Sequence, residues 1–263
     1  MSLKEKILLC GKTDAGLLRN NNEDSIGYNE SIALAVLADG MGGHLGGEMA
    51  SAMTVNMMLE SITAKAIKNS TVSRLMHKAI MQANKSVYDS SKTNPQYRGM
   101  GTTVVALMFY DNHFTVAHVG DSRLYRLRNN QLEQITRDHS FVQEQIDLGL
   151  HTAEQARNSP HKNLITRAIG IDDDVQVDIQ EDIAMPDDIY LLCSDGVNDM
   201  LEDKLIEKIL IDHSCDLENA SSEIIRLANE HGGKDNISAL LAKPLTAFPA
   251  KMSLLTRFRS IFS

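Results

Sequence analysis

The order of strands and helices is the feature of this sequence that most limits its fold. Four strand-like segments follow one another between residues 102 and 135, separated by turn residues, and pairs of segments with helical spacing stand before and after them. Along the chain the order is ββ, αα, ββββ, αα, ββ, αα, β. A parallel doubly wound sheet requires strict alternation of strand and helix, so this order predicts an α+β fold of antiparallel sheets with helices packed outside.

Apolar patterning gives approximate boundaries to these segments. The helical segments cover about residues 48–67, 71–89, 140–158, 202–212 and 217–231. The strands of the meander are Thr102–Tyr110, His113–Val119, Arg123–Arg128 and Gln131–Ile135, and later strands are Ile189–Cys193 and Ile237–Ala242. The apolar run Ile32–Ala38 predicts a buried strand that ends in a turn at Asp39-Gly40.

The charge balance of the chain disfavours nucleic acid as a partner. The chain contains 26 basic and 35 acidic residues, a formal net charge of −9, and a body of this charge repels phosphate backbones. The last 21 residues contain four basic and no acidic side chains, so residues 1–242 alone carry −13 (−9 minus 4). This excess of carboxylates is compatible with a cation-binding site within residues 1–242.

Cysteine usage and the amino terminus indicate a cytoplasmic protein. Cys10, Cys193 and Cys215 are too few and too far apart for a disulfide framework or a zinc knuckle. The amino terminus contains only Ile7–Cys10 as an apolar run, which is far shorter than a signal peptide or a membrane span. We therefore expect a reducing, cytoplasmic environment.

Four aspartates stand at the ends of strands that should be buried. Asp39, Asp121 and Asp195 each follow an apolar strand, and Asp235 immediately precedes one. A single aspartate at a turn is ordinary turn chemistry, whereas several converging carboxylates repel one another unless cations neutralise them. Oxygen ligands without paired histidine or cysteine favour Mg²⁺ or Mn²⁺ over zinc. The pattern therefore predicts a site for these ions.

These aspartates belong to motifs that resemble a known family. In chain order the motifs are Asp14-x-Gly16-x-x-Arg19 with Asn22-Glu23-Asp24, Ala38-Asp39-Gly40-Met41-Gly42-Gly43-His44, Gly101-Thr102-Thr103, Val119-Gly120-Asp121-Ser122-Arg123, Ser194-Asp195-Gly196 and Lys234-Asp235-Asn236-Ile237-Ser238. Together they resemble the type 2C, metal-dependent serine/threonine protein phosphatases in their bacterial form, over about residues 8–242. The resemblance implies a four-layer α/β/β/α sandwich, in which two antiparallel sheets lie face to face between helix pairs.

The resemblance also implies a centre that binds two ions, Mn²⁺ or Mg²⁺. Asp39 would bridge the two ions, and the carbonyl of Gly40 would bind one of them. Asp195 and Asp235 would complete the second site. A water shared by two such ions has a lowered pKa and attacks phosphorus in line with the leaving serine oxygen. No protein nucleophile is needed.

Four further residues receive roles from the same resemblance. Asp121, with Asp195, matches the place where bacterial members hold a third, weaker metal. Glu23 and Asp24 would act through metal-bound water or from behind the ligands. Arg19 would clamp the substrate phosphate, since a guanidinium donates to two phosphate oxygens at once. The simpler reading of Arg19 is a surface ion pair with Glu23, one helical turn away.

The identity of the general acid stays open at this point. Animal members carry a histidine directly after the Asp-Gly pair, and here that place is Met41. His44 matches the histidine of the bacterial Gly-Gly-His motif, so it is a candidate for substrate binding or protonation. A histidine in a glycine-rich loop is equally compatible with a purely structural role.

The resulting hypothesis is a phosphoserine and phosphothreonine protein phosphatase that opposes a serine/threonine kinase. Its substrates would be phosphoproteins, and nucleic acid would not be a partner. Two alternatives stay open: a catalytically inactive phosphatase fold that serves as a regulatory binding module, and a small-molecule phosphohydrolase. Asp39, Asp195, Asp235 and Arg19 argue against the module, because a binding module does not need this set.

The last residues differ in character from the rest of the chain. We expect one phosphatase domain over residues 1–244 and a basic amphipathic tail over residues 245–263. Apolar and basic side chains at residues 251–263 would allow contact with an anionic membrane or a partner. A segment this short forms only a marginal helix by itself, so we favour a tail that folds onto its own domain or stays disordered.

Overall fold

Two antiparallel sheets lie face to face in the computed structural model, which describes residues 2–43, 45–67, 70–152, 155 and 159–249. The strands are β1 (Ile7–Asp14), β2 (Asp24–Asn29), β3 (Leu34–Met41), β4 (Gly101–Thr102), β5 (Val104–Tyr110), β6 (His113–Val119), β7 (Arg123–Arg128), β8 (Gln131–Gln134), β9 (Asp178–Ile183), β10 (Ile189–Cys193) and β11 (Ile237–Pro244). The first sheet has the order β1-β11-β10-β7-β8. The second has the order β2-β3-β5-β6-β9, with β4 paired to β3.

Helices cover the outer face of each sheet. The helices of the described residues are α1 (Leu45–Ser61), α2 (Ala64–Ile67), α3 (Val72–Thr93), α4 (Phe141–Asp147), α5 (Asp195–Asn198), α6 (Asp203–Asp212) and α7 (Leu217–Glu230). Side chains of α1 and α3, such as Met58 and Ile80, pack on the second sheet, whereas α6 and α7 pack on the first. The predicted four-layer α/β/β/α sandwich is confirmed.

The central strands are buried on both faces, which explains why they read as continuous apolar runs. In β10, Leu191 and Cys193 face the helices, and Tyr190 and Leu192 face the other sheet. Between the sheets Tyr190 packs edge-on against Phe109 of β5, with 5.2 Å between ring centroids. At about 25 cal/mol per Å² of buried apolar surface, this shared core is the main term that holds the two sheets together.

The strand β3 does not end where the sequence predicts a turn. It continues through Asp39 and Gly40 to Met41, because Gly40 pairs with Thr102 and Met41 with Gly101 of the short strand β4. A side chain at Gly40 would collide with the carbonyl of Gly47 in α1. The glycine therefore serves close helix–strand packing here, and the turn comes two residues later.

The residues after β11 continue along the sandwich. The N–H of Leu245 donates to the carbonyl of Lys6 over 2.7 Å, and the N–H of Phe248 donates to Oδ1 of Asn112 over 2.6 Å. The Phe248 ring is buried against Phe109. The amphipathic segment predicted over residues 251–263 lies outside the described residues. Among the residues that are described, no helix has the length and apolarity needed to cross a membrane.

Candidate metal centre

Two aspartates of the second sheet stand side by side at one end of the sandwich. Asp24 opens β2 and is the direct cross-strand partner of Asp39 in β3. The backbone of Asp39 is held on its other side by Thr103, since the Asp39 N–H donates to Oγ1 of Thr103 over 3.0 Å and its carbonyl accepts from the Thr103 N–H over 2.9 Å. This pairing fixes the position of both carboxylates.

Two aspartates of the first sheet meet at the same end. Asp195 begins α5 and is separated by one residue from the end of β10, and Asp235 is separated by one residue from the start of β11, the neighbour of β10 in the sheet. A side chain at Gly196 would collide with the carbonyl of Asn236, so the glycine lets the two loops touch. The motifs Ser194-Asp195-Gly196 and Asp235-Asn236 are thus two halves of one contact.

Asp24 also joins the two sheets. Its Oδ2 accepts hydrogen bonds from the hydroxyls of Ser194 (2.7 Å) and Ser238 (2.6 Å), which belong to the first sheet. Asp24 is 7% exposed, and its other oxygen, Oδ1, is buried without a hydrogen-bond donor among the described residues. A buried carboxylate oxygen without a donor is costly unless a proton or a cation meets it.

The electrostatics show that the aspartates of the two sheets converge. The pKa of Asp39 is raised well above its usual range by burial and by the charges of Asp24, Asp195, Asp121 and Asp235. The pKa of Asp195 is raised well above its usual range by burial and then by Asp121 and Asp235. Burial raises the pKa of Asp24 to about 6. Carboxylates that together bind a cation repel one another in this way when the charge of the cation is not counted.

Asp121 lies beside this group, in the turn between β6 and β7. It is 8% exposed, and burial, followed by the charge of Asp138, raises its pKa to about 6. The hydroxyl of the next residue, Ser122, shares a hydrogen bond of 2.7 Å with Oγ1 of Thr103. Thr103 therefore connects the Asp39 backbone to the Asp121 turn, a role that its place in the Gly101-Thr102-Thr103 motif does not reveal.

A cavity of about 500 Å³ opens from Asp121 and Asp195 toward α4 and α5. Its wall includes Asp199, one helical turn after Asp195, which forms an ion pair with Lys162. Asp199 belongs to none of the sequence motifs, although its spacing of four residues from Asp195 places both on one side of a helical turn. The cavity gives the aspartate cluster an opening to solvent.

Arg19 lies at the edge of the cluster. Its Nη2 atom is 2.7 Å from Oδ2 of Asp235, and its side chain is 54% exposed. The loop that carries Arg19 is held by Asn236, whose Nδ2 donates to the carbonyls of Ala15 and Asn21, each over 2.9 Å. Asn236 also accepts the Glu23 N–H through Oδ1 over 2.8 Å. Its side chain thus fixes the arginine loop to the base of the centre.

Glu23 lies where α1 meets β3. Its carbonyl accepts from the Gly40 N–H over 3.1 Å and from the hydroxyl of Ser51 over 2.6 Å. Its carboxylate lies so close to Gly47 that a Cβ there would collide with Oε2. The first turn of α1 is thereby held against the Asp39-Gly40 strand. His44, the last of the predicted site residues, lies outside the described residues.

Comparison with known proteins agrees with this geometry. The family model for protein phosphatase 2C matches residues 19–242. The chain belongs to the protein phosphatase 2C family. It is 37% identical over 237 residues to the serine/threonine phosphatase stp of Listeria monocytogenes, a match that covers 88% of this chain and 94% of that protein.

Solved structures of this family share the fold. The serine/threonine phosphatase PstP/Ppp of Mycobacterium tuberculosis superposes with a TM-score of 0.84 at 34% identity, covering 90% of this chain and 98% of that one. The catalytic domain of PstP in complex with two manganese ions gives a TM-score of 0.81 at 33% identity, covering 90% and 98%. This protein is therefore a metal-dependent serine/threonine protein phosphatase that acts on phosphoproteins. The inactive binding module finds no support among these relatives, which are named phosphatases.

Proposed function

We propose that the aspartate cluster holds two ions, Mn²⁺ or Mg²⁺, with a third and weaker one beside them. The observation that carries this proposal is the convergence of carboxylates from both sheets: Asp24, Asp39, Asp121, Asp195 and Asp235. The residues fit such ions. The donors are all oxygens, which suits hard cations, and one buried oxygen of Asp24 has no donor among the described residues.

The ligand roles follow the placement of the side chains. Asp39 lies among the other four carboxylates and is the residue we assign to both ions, with the Gly40 carbonyl on one of them. Asp195 and Asp235 complete the pair from the first sheet, in keeping with the contact between their loops. Asp121, next to Asp195, is our choice for the weaker third ion.

Glu23, which precedes β2, and Asp24, which opens β2, have different surroundings. Asp24 bridges the sheets through Ser194 and Ser238, so we propose that it supports the ligands from behind and adds negative charge. Glu23 lies against the first turn of α1, and we propose that it acts through a water ligand of an ion.

The chain's own groups bind and orient the phosphate. When bound, the ions supply positive charge to the transferring phosphoryl group and lower the pKa of a water molecule. Arg19, exposed at the edge of the cluster, donates from its guanidinium to two phosphate oxygens. Its present partner, Asp235, is one of the proposed ligands, so the guanidinium already lies next to the place where the phosphate binds. The part of His44 in substrate binding or in protonation of the leaving group stays a prediction.

The biological setting belongs to the same proposal. We infer that the enzyme opposes a serine/threonine kinase in bacterial signalling, because its relatives are bacterial protein phosphatases. The free thiols of Cys10 and Cys193, both buried, suit a cytoplasmic location. We assign the phosphatase domain to residues 1–244 and a tail to residues 245–263, whose first residues, including Leu245 and Phe248, pack onto the domain. For residues 251–263 we favour a tail that folds onto its own domain or stays disordered over one that contacts a membrane.

Hydrolysis of a phosphothreonine peptide with Mn²⁺ tests the proposal. Asp39→Asn removes the ligand that both ions share, so we expect kcat to fall by about 10²–10³-fold or more, the usual size of a lost transition-state contact. EDTA should abolish the activity of the unmodified enzyme. The matched control is Asp212→Asn, an exposed aspartate at the end of α6 that pairs only with Lys208 among the described residues.

Full activity of the Asp39→Asn enzyme would contradict the shared-ligand role. Faster hydrolysis of small phosphate esters than of phosphopeptides, measured as kcat/KM on the same preparation, would instead favour a small-molecule phosphohydrolase. An Asp212→Asn enzyme with reduced activity would show that loss of charge alone, and not loss of a ligand, explains the effect.

A further inference from the structure

The turn that carries Asp121 is held by a histidine from a neighbouring segment. The N–H of Gly120 donates to Nδ1 of His139 over 3.1 Å, and the carbonyl of Gly120 accepts from the His139 N–H over 2.9 Å. Both residues are buried. One residue thus satisfies both backbone groups of the glycine that precedes Asp121.

Position 120 cannot carry a side chain that would hold the turn. Its φ is +106°, a conformation that residues with a Cβ rarely adopt. A Cβ at this position would also lie 2.6 Å from Cγ2 of Thr103. Two residues outside the turn hold it: Thr103, through its hydrogen bond to Ser122 of the turn, and His139, through Gly120.

The far side of the His139 ring faces a carboxylate. Its Nε2 lies 3.4 Å from Oδ2 of Asp178, and Nη1 of Arg167 lies 2.9 Å from Oδ1 of the same carboxylate. Because Nδ1 accepts from Gly120, the ring proton is on Nε2 and faces Asp178. Burial, followed by the charges of His118 and Arg167, lowers the pKa of His139 to about 4, so the ring is neutral as this arrangement requires.

The same side chains do not form a convincing metal site. Ligand atoms of His118, His139 and Asp178 lie within 4.8 Å of one another. However, Nδ1 of His139 is engaged with Gly120, which leaves Nε2 protonated, and the Arg167 guanidinium is 3.3 Å from that nitrogen. The rings of His118 and His139 are stacked, with centroids 4.6 Å apart. The group is a hydrogen-bonded support for the His139 ring.

We propose that His139 is a positioning residue for Asp121, with Asp178 and Arg167 orienting its ring. The Asp121 carboxylate raises the pKa of both Asp195 and Asp39, and it is itself repelled by Asp138 and Asp199, so it lies among like charges. A turn with an unpaired Gly120 N–H would let Asp121 move away from them. By holding Gly120, His139 keeps the Asp121 carboxylate in place for the third ion. This role rests on the proposed ion sites.

Three substitutions separate the two sides of the ring. His139→Asn places an amide oxygen near the position of Nδ1, so it can still accept from Gly120 but does not reach Asp178. His139→Gln places its amide near the position of Nε2, so it can reach Asp178 but not Gly120. His139→Leu keeps the bulk and removes both contacts. The full chain carries each change.

Nuclear magnetic resonance tests the hydrogen bond between Gly120 and His139 directly. In the unmodified protein, long-range ¹H–¹⁵N spectra should show His139 with its proton on Nε2, and the Gly120 amide should exchange slowly with solvent. We expect the Asn variant to keep this protection and the Gln and Leu variants to lose it by at least about tenfold, one decade being 1.4 kcal/mol. Equal protection in the Asn and Gln variants would overturn the proposal.

Calorimetric titration with Mn²⁺ measures how each substitution changes the affinity for the ions. Loss of a support behind a metal ligand typically weakens affinity about 10–100-fold, so we expect that loss for the weakest ion in the Gln and Leu variants, and less than about threefold in the Asn variant. Affinity for the two stronger ions should not change. Asp121→Asn identifies which ion belongs to Asp121.

The outcomes distinguish the two proposals. If Asp121→Asn removes the weakest ion and the Gln variant retains it, His139 has no positioning role, while the third-ion site stands. If Asp121→Asn changes no binding step, the third-ion site is wrong, and our inference falls with it even where Gly120 protection follows His139. Should the Leu variant fail to fold, the comparison of Asn with Gln still decides.

Discussion

At the scale of single residues, Asp24 shows how one carboxylate meets two demands. One oxygen accepts from Ser194 and Ser238 and so links the sheets, while the other is buried without a donor among the described residues. The first contact stabilises the fold, and the second leaves a negative charge that only a proton or a cation can meet. A single side chain thereby couples sheet packing to ion binding.

Arg19 offers a test of phosphate recognition at the same scale. Arg19→Lys keeps the positive charge but loses the planar fork that contacts two oxygens at once. We expect kcat/KM for a phosphothreonine peptide to fall about 10–100-fold, because a hydrogen bond to a charged group is worth about 1.5–3 kcal/mol. Steady-state kinetics measure this, with Arg74→Lys, exposed on α3, as the control. An unchanged kcat/KM would remove Arg19 from phosphate binding.

At the scale of elements, the sequence predicts strands well where apolar residues run between clear turn residues. The bounds of β6, β7 and β10 agree with their predicted limits, because turn residues with positive φ stand close to each: Asp111-Asn112 before β6, Asn129-Asn130 after β7 and Asp187 before β10. The continuation of β3 through Gly40 could not be predicted this way. It depends on pairing with β4, whose residues stand 60 and 62 positions later in the chain than their partners.

The candidate site shows the same division. The aspartates stand out in the sequence because each lies at a strand end beside glycine or in a recognisable motif. Ser194, Ser238, Asn236 and Thr103 stand in the same motifs, yet their roles depend on contacts between loops of different sheets or different hairpins. Hydrogen bonds between residues about 170–220 positions apart have no local signature in a sequence.

The contact between α1 and β3 can be tested with one methyl group. In Gly47→Ala the new Cβ would collide with the Glu23 carboxylate and lie 2.9 Å from the Gly40 carbonyl carbon. The helix gains propensity, about 1 kcal/mol, but overpacking costs about 1–3 kcal/mol and displaces the strand that carries Asp39. We expect a lower free energy of unfolding in urea and weaker Mn²⁺ binding. Asn56→Ala, exposed on the same helix, is the control; equal behaviour of the two variants would contradict the tight packing.

At the scale of the whole molecule, ion-free stability should depend on pH through the cluster. The pKa of Asp24 is raised from 3.8 to about 6, so between these values the folded chain binds more protons than the unfolded chain. The contribution of Asp24 to the free energy of unfolding therefore falls as pH rises through this range. The lowered pKa of His139 acts in the opposite direction over pH 4–6.5, so the contribution has to be isolated by a variant.

Asp24→Asn removes this carboxylate together with its repulsion of Asp39, and leaves His139 unchanged. In EDTA, the variant should gain stability over the unmodified protein as pH rises from 4 to 7, because it lacks the charge that the folded state must bury. Urea unfolding at several pH values measures the difference. Asp212→Asn, which removes an exposed aspartate that is not part of the cluster, is the control. A constant difference for Asp24→Asn would mean that Asp24 carries no buried charge in the ion-free fold.

The most direct measurement is anomalous diffraction from crystals of the full chain grown with Mn²⁺, recorded on both sides of the manganese edge. We predict two strong peaks about 3.5–4 Å apart, both in contact with Asp39, with Asp195 and Asp235 completing the coordination. A single ion bound away from Asp39, or manganese found only at the group of His118, His139 and Asp178, would contradict the assignment of the two-ion centre to aspartates from both sheets.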